Sequence, residues 1–219
     1  ADNPPKIHST GVELARLRNW YLMEDEQVRS VLGGLEKEIE LSVNGVAGFL
    51  LANGALSGEG QELEIRRQLI ENKLVEAIII LPRNLFYTTD ISVTLWILNN
   101  NKKARMIEQN GNLKKYRNRE DEVLFMDLRQ MGSPFEKKYI ELTPEDRTKV
   151  AEVFHTWQQV EKETKYQNIP EFCYSATIKE IAKKGYNLVP SRYIEFVNHD
   201  ETQDFDSSMK ALQTEITNS

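Results

Sequence analysis

The chain has 219 residues and a formal net charge of −6, with 40% hydrophobic and 28% charged residues. This length can bury the core of one sizeable domain, or of a domain with an appendage, and the composition is typical of a soluble globular protein. No apolar run is long enough for a membrane-spanning helix, and residues 1–10 lack a signal-peptide pattern. The single cysteine, Cys173, excludes an internal disulfide framework and favours a reducing cytoplasm.

Charge is distributed unevenly along the second half of the chain. Residues 102–119 carry seven basic side chains and one acid, Glu108, whereas residues 195–206 carry five acids and no lysine or arginine. The mildly acidic total does not indicate nucleic-acid binding. The basic segment has two interpretations, a surface for phosphate groups or a solvated face, because charge runs usually face water.

The first half of the chain predicts helices followed by a layered sheet. Apolar residues at loose helical spacing over 11–40 indicate one or two helices, broken near Gly33-Gly34. After the turn signal Asn44-Gly45 come three short apolar runs that are typical of buried strands. They span residues 46–52, 74–81 and 91–98. A helix over 61–72 separates the first two runs, and this order of strand, helix and strand predicts a parallel α/β sheet.

The second half predicts a polar arm, a fourth strand and further helices. The arm turns at Asn110-Gly111 and leads into the fourth strand, over 122–128. Thr143-Pro144 begins a helix, because threonine can cap and proline suits the first helical position. A shorter helix over 177–184 ends at Gly185. The tail carries an apolar seam at spacings of 4, 3 and 4, too narrow for a helix without a partner. The seam consists of Phe205, Met209, Leu212 and Ile216.

Neither a metal site nor an activated nucleophile is predicted. The histidines of the chain are His8, His155 and His199. None has a carboxylate or thiol at ligand spacing, and Cys173 has no basic neighbour that would activate it. Gly58-Glu59-Gly60 lies between a strand and a helix, as a nucleotide or adenosylmethionine loop would. However, the next strand ends at Leu81-Pro82, without the acid that would hold a ribose.

Asn3-Pro4-Pro5 is the short motif with the clearest chemistry. The asparagine side-chain oxygen and the carbonyl of Pro4 can both accept hydrogen bonds from the exocyclic amine of a base, which aims the nitrogen lone pair at a methyl donor. Proline fixes φ and adds no competing donor. A base treated in this way must first be flipped out of the duplex. The alternative is a proline-containing terminus without a catalytic role.

A series of longer motifs carries a family resemblance. In chain order they are NGVAGFLLANGALS at 44–57, EIRR at 64–67 with LVEAII at 74–79, LPRNLFYTTDI at 81–91, EVLFMD at 122–127, PEFC at 170–173 and GYNLVPSRY at 185–193. This series closely resembles the modification (M) subunit of type I restriction-modification systems, in the N6-adenine DNA methylase family. The resemblance covers residues 44–193, about two thirds of the chain.

The resemblance implies a fold and a chemistry. The expected fold is α/β, part of a Rossmann-like methyltransferase sheet that is mostly parallel with one reversed strand, followed by a helical carboxyl-terminal region. The implied activity is transfer of a methyl group from S-adenosylmethionine to adenine N6 in DNA. Asn3, Pro4 and Pro5 would form the catalytic motif, and Phe86, or alternatively Tyr87, would stack on the flipped adenine.

A domain plan and a set of partners also follow from the resemblance. Residues 1–140 would be the carboxyl-terminal part of the catalytic domain, and residues 141–219 a helical tail for subunit interaction. The specificity (S) subunit would bind the apolar seam, a restriction (R) subunit would join the complex, and double-stranded DNA would be the substrate. The alternative for the seam is packing within the chain itself. Five basic residues of the arm would contact DNA phosphates. These are Lys102, Lys103, Arg105, Lys114 and Lys115.

Two departures from the family pattern bear on activity. Lys6 stands where the family has an aromatic residue that stacks on the adenine. The helical amino-terminal domain and the glycine-rich methyl-donor loop, which precede Asn-Pro-Pro in the family, have no counterpart in this sequence. We therefore expect adenosylmethionine to be the cofactor of the intact protein and this chain alone to be inactive. The alternative function is a truncated, non-catalytic protein that retains only partner binding.

Overall fold

A central sheet with helices on both faces organises the chain. The computed structural model describes residues 45–87, 90–109, 111–136, 138–160 and 165–196. Its strands are β1 (Val46–Ala52), β2 (Val75–Ile80), β3 (Val93–Asn99), β4 (Arg105–Gln109), β5 (Asn112–Tyr116), β6 (Glu122–Asp127), β7 (Ser133–Phe135), β8 (Tyr139–Glu141) and β9 (Cys173–Thr177). Its helices are α1 (Gln61–Glu71), α2 (Pro144–Gln158) and α3 (Ile178–Lys183), with short 3-10 turns at Asn53–Leu56 and Pro190–Arg192.

The sheet is mostly antiparallel, so the expectation of a mostly parallel sheet is wrong. Its strand order is β1-β3-β2-β6-β9, and among these neighbours the pair β2–β6 is parallel whereas the others are antiparallel. Strands β1, β2 and β6 run in one direction, and β3 and β9 run in the other. β3 is reversed because the described part of the connection from Ile80 to Val93 contains no crossover helix, which a parallel return needs.

Helices cover both faces of the sheet, which explains its unbroken apolar strands. On one face, α1 and α3 pack over a core that includes Ile78 and Trp96. On the other face, Trp157 of α2 packs on a second core that includes Ile79 and Met126. All residues of β2 are buried, because a strand covered on both faces has no side exposed to solvent.

The main elements lie where the sequence predicts them. Strands β1, β2, β3 and β6 and helices α1 and α3 each match a predicted segment to within two residues. At the start of α2, Thr143 and Asp146 form a reciprocal capping box: the Asp146 amide donates to Thr143 Oγ1 at 3.1 Å, and the Thr143 amide donates to Asp146 Oδ2 at 3.0 Å. Strands β7, β8 and β9 were not predicted. α3 ends just before Gly185, whose φ of 65° is a left-handed value that suits glycine.

The predicted polar arm is a hairpin formed by β4 and β5. The two strands pair in antiparallel register from Arg105 opposite Tyr116 to Gln109 opposite Asn112. Gly111 has a φ of 74° at the turn, a conformation that glycine adopts without strain. Met106 and Leu113 on this arm are 65% and 68% exposed, so the arm presents apolar as well as basic side chains to solvent.

Several predicted features lie outside the described residues. These are the helices over 11–40, the motif Asn3-Pro4-Pro5 and the apolar seam of the tail. Residues 141–196, which the domain plan assigned to a helical tail, contribute α2, β9 and α3 to the central sheet and its two cores. Among the described helices, none is both long and apolar enough to cross a membrane.

Candidate functional site at the carboxyl edge of the sheet

Strands β1, β2 and β6 end at the same edge of the sheet, which we call the carboxyl edge. The register aligns Ala52 with Val93, and Ile80 with both Thr94 and Asp127. In open α/β sheets, ligands bind outside the carboxyl ends of the parallel strands. The loops that follow these strands therefore form the candidate functional site.

The loop after β2 carries the two predicted base-stacking residues, and they differ in exposure. Phe86 is half-buried and packs against the second core. Tyr87 is 61% exposed, and its ring meets that of Tyr139 edge to face with the ring centroids 4.7 Å apart. Of the two predicted residues, Tyr87 is the one whose ring is accessible to a ligand.

The loop after β6 places an ion pair beside an open cavity. The Arg129 guanidinium donates to both carboxylate oxygens of Asp127, with Nε 3.0 Å from each and Nη2 2.6 Å from Oδ2. Hydrogen bonding to Asp127 raises the pKa of Arg129, so the guanidinium stays charged. Gln130, Glu171 and Phe196 also line this cavity, which has a volume of about 410 Å³. A cavity of this size, with one aromatic wall and several polar groups, can hold a small polar ligand.

The glycine loop before α1 is occupied by an internal arginine. Arg66 is buried, and it donates to the carbonyl groups of Ala55 at 3.0 Å, Gly58 at 2.5 Å and Tyr186 at 3.1 Å. Sequence reasoning did not single out Arg66, although a charged residue on the buried face of a predicted helix was a signal. Because the carbonyl groups of Ala55 and Gly58 accept hydrogen bonds from Arg66, the loop at Gly58-Glu59-Gly60 has a structural role that does not require a bound nucleotide.

A buried ion cluster lies at the opposite, amino edge of β2 and β6. We define it as Glu76, Asn99, Lys102, Arg119 and Gln158, all of which are buried. Glu76 Oε1 accepts hydrogen bonds from Arg119 Nε and Gln158 Nε2, each at 3.0 Å, and Asn99 donates to Glu76 Oε2. The cluster joins β2, the end of β3, the base of the arm and the end of α2.

Lys102 belongs to this cluster and not to the predicted DNA-binding surface. Its side chain is buried, and Nζ donates to the carbonyl oxygens of Val75 and Glu122, each at 2.7 Å. An ammonium group enclosed in this way cannot reach a phosphate, so Lys102 is not proposed as a phosphate contact. The sequence shows a basic run but not that two carbonyl groups converge on one of its members.

The remaining predicted phosphate contacts are on the arm, far from the predicted base-stacking residues. Lys103 and Lys115 are exposed, whereas Arg105 and Lys114 are half-exposed. The Arg105 guanidinium donates to the Asn101 carbonyl and lies 5.3 Å from the ring centroid of Tyr116. The arm joins the amino edge of β6, and this six-residue strand spans roughly 20 Å. The structure therefore does not bring the two predicted sets together.

The buried position of Lys102 leads to a prediction about pH and stability. Burial lowers the pKa of Lys102 to about 8, against about 10.4 for an unfolded lysine. Between these values the Lys102 side chain carries more protons in the unfolded chain than in the folded chain, so this residue contributes a rise in the free energy of unfolding with pH above about pH 8. Urea unfolding at several pH values should reveal this contribution as a difference in pH dependence between the unmodified chain and Lys102→Met.

The matched control is Lys103→Met, which changes the neighbouring exposed lysine. This variant should keep the pH dependence of the unmodified chain. If the free energy of unfolding changed equally with pH in the unmodified chain and in Lys102→Met, the lowered pKa of the buried Lys102 would be contradicted.

Comparison with known proteins identifies the family. The family described as N-6 DNA Methylase matches residues 37–202 of the 219-residue chain. The chain belongs to this family.

The relatives of this N-6 DNA methylase chain are subunits of restriction enzymes. The methylase subunit of the type I restriction enzyme HindI from Haemophilus influenzae is 37% identical over 155 residues, which cover 70% of this chain and 31% of that protein. The methylase subunit of the type I restriction enzyme MjaIX from Methanocaldococcus jannaschii is 35% identical over 173 residues, which cover 79% of this chain and 28% of that protein. The chain thus spans about a third of the length of these relatives.

A solved structure shares the fold of this N-6 DNA methylase chain. The methyltransferase subunit of a type I restriction-modification system from Streptococcus thermophilus superposes with a TM-score of 0.54 at 25% identity. The superposition covers 69% of this chain and 27% of that subunit. The mixed sheet with one parallel pair therefore corresponds to a portion of that methyltransferase subunit.

Proposed function

We propose that this chain is the carboxyl-terminal part of the M subunit of a type I restriction-modification system. The intact protein would transfer a methyl group from S-adenosylmethionine to adenine N6 in double-stranded DNA. The observation that carries the proposal is the family match over residues 37–202, together with 37% identity to a type I methylase subunit. The free cysteine is buried, which is compatible with a place in the cytoplasm.

The described residues do not by themselves form a site for S-adenosylmethionine. The carbonyl groups around Gly58-Glu59-Gly60 accept hydrogen bonds from Arg66, and β2 ends at Ile80 and is followed by Leu81-Pro82, without an acid for a ribose. When bound to the intact protein, adenosylmethionine would supply the methyl group, and other residues of that protein would hold it. In this proposal the present chain contributes to binding and orienting the adenine.

The adenine would bind at the carboxyl edge in this proposal. The side-chain oxygen of Asn3 and the carbonyl of Pro4 would accept the hydrogen bonds of the adenine amine, Pro5 would complete the motif, and Tyr87 would stack on the ring. The exposure of Tyr87 and its support by Tyr139 favour Tyr87 over Phe86 for this role, because an accessible ring with a packed neighbour is both available and oriented.

Methyl transfer from radiolabelled adenosylmethionine to DNA, by the intact protein with its S subunit, tests this function. Asn3→Ala should lower kcat by about 100-fold or more, because it removes a group that acts on the reacting amine. Tyr87→Ala should lower kcat/KM by about tenfold, because a base stacked on an aromatic ring gains about 1–3 kcal/mol. Lys183→Gln, at an exposed residue of α3 outside the proposed DNA contacts, should leave both constants unchanged. Full activity of Asn3→Ala would overturn the catalytic assignment.

The arm would contact phosphates of the same DNA outside the adenine site. Lys103 and Lys115 are its exposed basic residues, and neutralising a phosphate contact should reduce the salt dependence of DNA binding. Replacing either lysine by glutamine should lower the slope of log K against log salt by about one. Lys183→Gln, at an exposed lysine of α3, is the matched control and should leave the slope unchanged. A slope that stays constant in the arm variants would exclude the arm from DNA binding.

The partners proposed for the intact protein are the S subunit and the R subunit. The printed names of the relatives describe subunits of larger restriction enzymes, which supports assembly with other chains. The proposed S-subunit contact is the apolar seam of Phe205, Met209, Leu212 and Ile216, within the predicted tail that ends at residue 219.

A further inference from the structure

The ribbon of β7 and β8 exposes aromatic side chains at the carboxyl edge. Phe135 and Tyr139 are directly opposite each other in the antiparallel register, which puts their side chains on the same face of the ribbon. Phe135 is 41% exposed. The edge-to-face contact between Tyr139 and Tyr87 joins this face to the loop after β2. We call the set Tyr87, Phe135, Lys138 and Tyr139 the aromatic wing.

The aromatic wing is fixed to the edge of the sheet by the backbone. The Ile140 amide donates to the Asn84 carbonyl at 3.0 Å, which ties β8 to the loop after β2. Gly132, at the base of the ribbon, has a φ of 96°, and a Cβ atom there would lie 2.4 Å from Ile140 Cγ2 and 3.0 Å from the Glu141 carbonyl oxygen. Only glycine allows this close approach, so the ribbon has one defined position beside the candidate site.

The charges of the wing favour stacking over phosphate binding. The Lys138 ammonium lies 5.4 Å from the Tyr139 ring centroid and is exposed. Glu136, Glu141 and Asp90 are exposed nearby along the chain, as is the basic Arg83, so the described surface carries charges of both signs and is not strongly basic. Neutralising many phosphates is what gives a binding site its steep salt dependence. Accessible rings bind bases through their π faces, which requires bases that are unpaired.

We propose that the aromatic wing binds unpaired DNA bases beside the position where the target adenine leaves the duplex. This inference rests on the proposed function, because flipping one base opens the duplex next to it. Phe135 would supply the outer stacking surface and Tyr139 would support Tyr87. Lys138 would provide a single positive charge at the rim of the wing.

Fluorescence anisotropy with labelled oligonucleotides and the 219-residue chain tests the wing. The probes are a fully paired duplex, the same duplex with a short mismatched bubble, and the single strand, with 2-aminopurine in the bubble as a reporter of stacking. The chain should bind the bubble and the single strand about tenfold more tightly than the paired duplex, and it should quench 2-aminopurine. Salt should weaken this preference for unpaired bases only slightly.

Variants of the ribbon separate stacking from folding. Phe135→Ala should remove the bubble preference and the quenching, and Gly132→Ala should do the same by displacing the ribbon while every ring is retained. Val46→Ala trims an exposed apolar side chain at the start of β1, outside both the wing and the arm, and should bind like the unmodified chain. Circular dichroism and thermal unfolding of each variant verify that the sheet is intact.

Several outcomes would overturn the inference. They are equal affinity of the chain for bubble and duplex, no binding to any of the oligonucleotides, or unchanged binding by Phe135→Ala. If the intact protein methylates DNA and depends on Asn3 but the bubble is not preferred, the wing assignment fails and the proposed function stands. If the bubble is bound through Phe135 but no methyl group is transferred, the proposed function fails instead.

Discussion

Glu76→Ala should lower the free energy of unfolding by about 3–5 kcal/mol, because it leaves two buried cations without their carboxylate. Arg119 has no exposed side-chain area and Lys102 is 2% exposed, so water cannot replace the lost partner. Asn99 and Gln158 also lose the acceptor of their hydrogen bonds. Urea unfolding followed by circular dichroism measures the change, and the loss should appear as a lower midpoint with an unchanged slope.

The control for Glu76 is Glu64, which pairs with Arg67 at 2.8 Å on the surface of α1. Both side chains of this pair are 47% exposed, and an ion pair exposed to water contributes little to stability. Glu64→Ala should therefore have a small effect. If Glu76→Ala were no less stable than Glu64→Ala, Glu76 would not be the carboxylate that stabilises the buried cations of the ion cluster.

Trp157→Ala should also lower the free energy of unfolding by about 3–5 kcal/mol. Trp157 has no exposed area, and its Nε1 donates to Ser175 Oγ of β9 at 2.8 Å. Its ring also lies 5.1 Å and 5.7 Å from the guanidinium carbons of Arg117 and Arg119. The substitution opens a cavity between α2 and the sheet and removes a cation–π partner from the ion cluster.

Chemical unfolding compared with a matched surface change tests the role of Trp157. Val160→Ala, at a residue that is 49% exposed just after α2, should change stability by less than about 0.5 kcal/mol. Trp157→Phe keeps most of the ring but not the hydrogen bond to Ser175, so its effect should lie between the two. If Trp157→Ala behaved like Val160→Ala, α2 would not be held to the sheet through this ring.

The positions of the main strands and helices could be predicted because each has a local signal. Apolar runs bounded by turn residues located β1, β2, β3 and β6, and the pair Thr143-Pro144 located the start of α2. β9 gives no such run, since in Cys173–Thr177 the buried Cys173 and Ala176 are separated by two half-buried residues and followed by an exposed threonine. The short strands β7 and β8 have even less local pattern, because most of their residues are exposed.

Strand direction could not be predicted because a strand covered on both faces has the same composition in either orientation. β3 has an apolar sequence, VTLWILN, like its neighbours, but it runs antiparallel to both of them. The direction depends on how the chain returns through the loop after Ile80. The hydrophobic pattern of the strand is the same for either direction.

The candidate site was only partly predictable for a related reason. Phe86 and Tyr87 are adjacent aromatic residues, and only the fold decides which one packs inward. Lys102 and Lys103 are adjacent lysines, one buried and one exposed, because the carbonyls of Val75 and Glu122 meet at one of them. In both cases the burial of the side chain depends on residues that are distant in sequence, so it cannot be predicted from the local composition.

The terminal position of β1 in the sheet has a consequence for handling this chain on its own. Among the described residues β1 pairs only with β3, and its sequence, VAGFLLA, has no charged residue and no proline. Natural proteins usually protect edge strands with charges, prolines or bulges, because the unpaired backbone groups of an unprotected edge strand can pair with a strand of another molecule. Segments of this length and composition also seed fibrils. Concentrated preparations of the isolated chain should therefore be prone to aggregate through Val46–Ala52, at a rate that increases with protein concentration.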